Sequence, residues 1–598
     1  MRRITGVLRR AHIFFRSFLA LNGREIVRGD APPPLAPPLK GEGDSGASPQ
    51  CSKLISFRRS HAASVSLPLE GRGRGWGYSP NSATGDKSPR LGRTTSIVLG
   101  LFVVALPTAP STGETLPDIL VTRTDLTAKD AARVQAVTAP ATDFSKPEDY
   151  ETMQGGAGTS RKRVNADSFS QSSANITFEE EGTFKLGNAL FRKNWVSSPS
   201  STQASDGLGP LFNERACQNC HLKDGRGHPP DSADGTTSMF LRLARTAETD
   251  EEKAAITDHR VLNFPDPVYG AQLQTLAVPG LRSEGRLKVA YTEFPVTLGD
   301  GSVVSLRRPA YAVSDPGYGP LDPMTTLSPR ISPPMIGLGL VEQIAPADIL
   351  AHADPQDSDG DGISGKANVV RDPSGKLQLG RFGWKAQVAS IREQSAEALA
   401  GDIGISSPEA PHHWGDCTEK EADCLKMATG VQKRLGDTEA PSPVIDLITF
   451  YAQNLAVPAR RHVGDRQVLA GKQAFYKMGC IACHTPKFVT RRDTLNKAQS
   501  FQLIWPYSDF LLHDMGPDLA DGQQVGDATG TEWRTPPLWG IGLTGRVNGH
   551  SFFLHDGRAR NLTEAILWHD GEAQKARDRF AAADKAERDA LIKFLESL

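Results

Sequence analysis

Apolar residues at helical spacing recur twice along the chain, each time before a Cys-x-x-Cys-His segment. Val468, Gly471, Phe475 and Met478 fall on one face of a predicted helix. Phe184, Gly187, Phe191 and Trp195 repeat the pattern and lead into a polar loop to Asp206. Phe212 and Phe475 also each stand five positions before the first cysteine of their segment. Near the C-terminus, Asp584 and Glu587 form a cap pair, and Leu591, Ile592, Phe594, Leu595 and Leu598 then make one apolar face. Asn561-Leu562-Thr563-Glu564 opens another helix that runs through Trp568. These patterns predict a mainly α fold with extensive loops, the loops supported by 57 Gly and 42 Pro in 598 residues.

The amino-terminal pattern differs. Pro32 to Gly43 and Leu67 to Gly75 are low in complexity, and Pro38-Leu39-Lys40-Gly41-Glu42-Gly43 is echoed by Pro68-Leu69-Glu70-Gly71-Arg72-Gly73. Such a tract cannot bury a core. Residues 1–90 read either as a disordered arm or as translated sequence upstream of the true start, and Cys51 falls within them. Arg90 and Arg93 then precede an apolar run of ten, Ile97 to Leu106, followed by small residues to Thr112. Basic, apolar, small is the order of a secretory signal. Ten helical residues rise only about 15 Å against a bilayer core of about 30 Å, so the run predicts export rather than a transmembrane anchor. A mature, periplasmic protein beginning near Gly113 is the expectation.

Composition narrows the chemistry. A net charge of -1 argues against a nucleic-acid partner. Four of the seven cysteines lie in Cys217-Gln218-Asn219-Cys220-His221 and Cys480-Ile481-Ala482-Cys483-His484. Two thiols three positions apart can each add to a vinyl group of one haem, while the adjacent His reaches the iron. A zinc site usually wants paired Cys-x-x-Cys elements or a separate His pair, and a redox dithiol needs no following His. Outside the cytoplasm, thiols are normally oxidised unless occupied. Two haem c groups are therefore expected, held by Cys217, Cys220 and His221, and by Cys480, Cys483 and His484.

Further segments carry a resemblance. Asp224-Gly225-Arg226-Gly227, Phe382-Gly383-Trp384-Lys385-Ala386, Tyr507 through Pro517, Trp533 through Gly540 and Phe553-Leu554-His555-Asp556-Gly557-Arg558 resemble the di-haem oxidoreductase family. Its relatives include the bacterial di-haem cytochrome c peroxidases and the di-haem enzyme that matures a tryptophan-derived quinone. The resemblance covers about Phe178 to Leu598. It implies two cytochrome-c-like haem lobes and electron transfer, with peroxidase-type activity open. Gly516-Pro517-Asp518-Leu519 looks like the Gly-Pro-x-Leu stretch of class I cytochromes c, which implies that the Pro517 carbonyl accepts the His484 imidazole N–H.

The sixth iron ligands stay open. Met515 is the only Met after His484 and adjoins that Gly-Pro turn. Among His513, His550, His555 and His569, the first choices are His513 and His555, because each follows Leu and precedes Asp, which could orient the ring. In the first lobe Met239, Met324 and Met335 are available. One closed and one accessible haem is the working expectation. Glu342 is the candidate distal acid/base for peroxide cleavage, against the alternative of a charge at a helix start.

Asp357, Asp359 and Asp361 alternate in a Gly turn, as Ca²⁺ ligands do, although position twelve is Asn368 rather than Glu. A bound Ca²⁺ and a solvated acidic turn both fit. Cys417 and Cys424 read as a short disulfide, with a reactive dithiol as the alternative.

The expected organisation is an extended segment at 113–176, a first haem lobe at 177–345, a linking region at 346–459 and a second haem lobe at 460–598. Three functions compete. The leading one is a di-haem oxidoreductase, fed by a small redox protein and reacting with a small oxidant such as peroxide. The others are an electron carrier without a substrate site and an iron-acquisition accessory.

Overall fold

Glycines at two helix crossings set the positions of the two Cys-x-x-Cys-His segments. The computed structural model describes residues 122–202, 205–230 and 238–598. The Pro/Gly/Arg tract, Cys51 and the export segment at 90–112 lie outside the described residues. Helix α1 (Phe178–Phe191) starts from Thr177, whose side chain and that of Glu180 cap each other's backbone N–H. It packs on α3 (Ser442–Gln453), which also meets α2 (Ile391–Asp402). A Cβ at Gly187 would lie 2.2 Å from Leu447 O, so only glycine permits this approach of α1 to α3.

The second crossing repeats the device. Helix α4 (Arg466–Lys477) begins at Asp465, whose carboxylate accepts from Gln467 N and Val468 N. Helices α5 (Leu562–Leu567), α6 (Gln574–Ala582) and α7 (Lys585–Ser597) follow. Asn561 and Asp584 cap α5 and α7 through the amides of Glu564 and Glu587. A Cβ at Gly471 would stand 1.9 Å from Ala590 O, which locks α4 against α7. Val468, Phe475, Trp568, Leu591 and Phe594 form the core around that crossing. Burying side chains of this size contributes roughly 1.5–3 kcal/mol each. A further core joins Ile336, Phe382, Phe488, Phe510 and Trp539 from both halves of the sequence.

Strands take a larger share than the sequence pattern predicts. The chain is about 30% helix and 17% strand, so the expectation of a mainly α fold is corrected, while extensive loops remain. Strand β1 (Met239–Arg245) pairs antiparallel with β4 (Thr325–Ile331), Met239 opposite Ile331. Strands β2 (Arg286–Thr297) and β3 (Val303–Ser314) form a long antiparallel hairpin, Arg286 opposite Ser314 and Thr297 opposite Val303. Every sheet among the described residues has two strands. The reason is legible in retrospect: Leu287, Val289 and Tyr291 alternate at period two, a signal of β-branched and aromatic residues outside the cysteine-bearing helices. The hairpin tip places Leu298 and Leu306 in the core of α4 and α7, and Gly299 N donates to Ala581 O at 2.7 Å. Cys417 and Cys424 form a disulfide. Among the described residues, no helix is long and apolar enough to cross a membrane.

Candidate functional site

Both Cys-x-x-Cys-His segments are single helical turns laid against the aromatic end of a preceding helix. Cys217–Cys220 form one turn, and His221 N donates to Cys217 O at 3.0 Å. Cys480–Ala482 form the second after Gly479 at φ 88°, and His484 N donates to Cys480 O at 2.9 Å. The Phe191 and His221 rings lie 6.1 Å apart at 53°, and Phe475 and His484 lie 6.1 Å apart at 54°. The counterpart of Phe475 is thus Phe191. Phe212 sits in a strand opposite Leu276, so its five-residue spacing carries no structural equivalence. Cys217, Cys220, Cys480 and Cys483 are outside any disulfide. Burial pushes the Cys217 and Cys480 thiols up to about 12, which disfavours a reactive thiolate at these positions.

Each turn walls a cavity. The second cavity, about 520 Å³, is lined by Phe475, Met478, Cys480, Cys483, His484, Met515, Leu519, Phe553, His555 and His569. The first, about 170 Å³, is lined by Phe191, Cys217, Cys220, His221, Met335, Arg330, Arg381 and Asp402. Arg226, Trp384, Arg534 and Pro536 line both. Trp384 Nε1 donates to Ile331 O at 2.8 Å, and its backbone carbonyl accepts from Arg534 N, which fixes the shared wall.

The polar groups fit haem. Burial pulls His221 and His484 down to about 4, leaving neutral imidazoles as iron requires. His484 Nδ1 donates to Tyr507 O at 2.9 Å, so its Nε2 carries the lone pair. His221 Nδ1 is buried without a hydrogen-bond partner. Arg226 is buried between the cavities with Nε and Nη1 unpartnered, over the Trp384 and Phe553 rings. An unanswered buried guanidinium is costly and calls for an anion such as a haem propionate.

Several sequence-predicted roles move. The carbonyl that meets His484 is that of Tyr507, not Pro517, because Pro517 is exposed in a turn outside the cavity lining. Glu342 does not line the first cavity. Its Oε1 accepts from Ile391 N at 2.8 Å and its Oε2 from Gln453 Nε2 at 2.6 Å, so it caps α2 and ties it to α3. His513 is not free to ligate: Nε2 meets Asp509 at 2.8 Å and Nδ1 meets Glu572 at 2.7 Å. Burial opposes its charge, but the Asp509 carboxylate overrides this and holds its pKa well above the usual value. His555 lines the second cavity with its ring stacked on Trp533, centroids 3.8 Å apart.

His569 lines the second cavity and donates Nδ1 to Ala565 O at 2.7 Å. In the sequence His569 ranks below His513 and His555 because it does not follow Leu, and its helical back-bond is invisible without the helix register. Among the remaining methionines, Met239 is buried in core, Met324 is exposed and Met335 lines the first cavity. Asp357, Asp359 and Asp361 bring one carboxylate oxygen each to within 4.8 Å of one another. Asn368 is not part of that group. It is buried, and its amide donates to Lys385 O and Val525 O.

Two cavities that each combine a thiol pair with a neutral imidazole, behind one tryptophan wall, define a two-centre redox protein. Residues 149–598 match the family model described as "di-haem oxidoreductase, putative peroxidase", and the chain belongs to that family. No curated protein matches it. Membership gives the chain haem cofactors and a general di-haem oxidoreductase function.

Proposed function

We propose that the chain is an exported, periplasmic c-type cytochrome that reduces peroxide with electrons from a small redox protein. In this reading Cys217 and Cys220 bond one haem with His221 on its iron, and Cys480 and Cys483 bond the other with His484. The observation that carries it is the paired cavities, each with its own thiols and imidazole and both bounded by Trp384 and Arg226. Haem supplies one-electron exchange and, at an open sixth position, a place for peroxide.

The chain's own groups do the rest. Tyr507 O orients His484, Arg226 answers propionate charge, and buried Trp384 forms part of the wall between the centres. Among the described residues lining the first cavity the only imidazole is His221; Met335 lines it too, so an open first centre with a substrate-side role there requires that Met335 stay off the iron. Reducing peroxide to two waters consumes two electrons and two protons, which a one-electron donor protein would supply in two deliveries; a haem held by Cys480, Cys483 and His484 would supply the one-electron relay. The Asp357–Asp359–Asp361 loop is the Ca²⁺ candidate, and its chelation should lower the melting midpoint.

Intact mass of the exported protein should show two added haem groups that survive acid extraction, and start near Gly113. Peroxide consumption should appear in the half-reduced protein. The mass of the bare polypeptide would overturn the reading. Two haems without peroxide consumption would reduce it to an electron carrier.

A further inference from the structure

We propose that His569 is the sixth ligand of the second iron, facing His484, so that this centre is closed by two imidazoles. The inference rests on the haem reading above and deepens it. His569 and His484 line the same cavity. Each ring has its Nδ1–H fixed on a backbone carbonyl, His484 on Tyr507 O at 2.9 Å and His569 on Ala565 O at 2.7 Å. A carbonyl accepts only, so both rings must carry the proton on Nδ1 and the lone pair on Nε2. This is the arrangement in which an imidazole ligand is oriented by its other nitrogen.

The position of His569 follows from the fold. It is the second residue after α5, and its back-bond to Ala565 continues the helical turn beyond Leu567. Asn561 and Glu564 anchor the start of that helix, and Trp568 is buried in the same core as Phe475 and Phe594. The ring therefore projects from a fixed element, as a ligand side chain should.

The other candidates line the same cavity in different settings. His513 has both nitrogens on carboxylates. His555 stacks flat on Trp533 at an interplanar angle of 11°. Met515 packs against both the α4–α7 core and the Met239–Ile331–Trp384–Trp533 cluster.

The test uses the full, haem-loaded protein, with two haems first confirmed by mass. The ferric wild type should give one low-spin component with a bis-imidazole near-infrared band. His569→Ala should convert that component to high spin, open it to cyanide and let added imidazole restore the low-spin signal. His569→Met should stay low spin, shift the near-infrared band and raise one of the two midpoint potentials, since Met/His ligation raises potential. His555→Gln and Met515→Leu should leave the low-spin component in place.

Two haems with an unchanged low-spin signal in His569→Ala would overturn the assignment, as would its loss in Met515→Leu. If His569→Ala does not accumulate, an unshifted band in His569→Met overturns it equally. Absent haem would instead sink the underlying reading, and the mass separates the two failures.

Discussion

The two cysteine-bearing regions share a scaffold and differ in what surrounds it. Each rests a helix on another through a glycine, Gly187 against Leu447 and Gly471 against Ala590, and each sets a phenylalanine 6.1 Å from its histidine. Beyond that they diverge. The first cavity is smaller and edged by Arg226, Arg330 and Arg381, with no second imidazole among its described lining residues. The second is larger and brings His555, His513 and His569 to its walls. Repeated backbone geometry fixes where a centre sits, whereas the non-repeated lining decides what each centre does.

The comparison breaks most visibly at the cysteines. Replacing Cys480 and Cys483 by Ser should remove one haem mass, and replacing Cys217 and Cys220 should remove the other. Loss of both haems from either pair would mean the centres do not assemble separately.

Next is the carboxylate clamp on His513 in the second region. His513→Gln should cost about 3–5 kcal/mol, because Asp509 stays buried opposite a lost cation. The pH dependence sharpens this. The folded pKa of His513 is raised above its unfolded value, so its contribution is complete below the unfolded value and is lost as pH rises through the folded one. The stability gap between wild type and His513→Gln, followed by chemical denaturation, should therefore shrink as pH rises from neutral into the alkaline range. A gap that grows would contradict a charged His513.

The shared scaffold predicts smaller, matched effects. Gly471→Ala and Gly187→Ala should each cost about 1–3 kcal/mol by overpacking. A loss at one site only would show that the helix crossings are not equivalent. Glu342→Gln should cost about 1 kcal/mol and leave peroxide consumption unchanged, since Glu342 holds Ile391 N and Gln453 rather than facing the cavity. The smallest effect is expected at Pro517→Ala, within about 0.5 kcal/mol and with no change in the haem spectrum. A spectral shift there would restore Pro517 as a partner of His484.

What the sequence showed was local. Cys-x-x-Cys-His, the Asp584 cap of α7 and the Phe184–Gly187–Phe191 and Val468–Gly471–Phe475 stripes are all short-range patterns, and they stand in the structure as helices and turns. The β2–β3 hairpin stands out less in the sequence because its period-two pattern competes with stronger helical signals elsewhere. The Tyr507 carbonyl was beyond reach for another reason. It depends on Tyr507 adopting φ 53°, which residue type alone does not announce. His569 and the double membership of Trp384 depend on tertiary register, which no spacing within one segment encodes.

A partition held in common has an evolutionary consequence. Trp384 and Arg226 face two chambers at once, so any drift at either position is judged by both centres together. Substitutions there should be strongly non-additive with changes in either chamber. Specialising one centre is therefore easiest through residues such as Met335 or His569, each belonging to a single chamber.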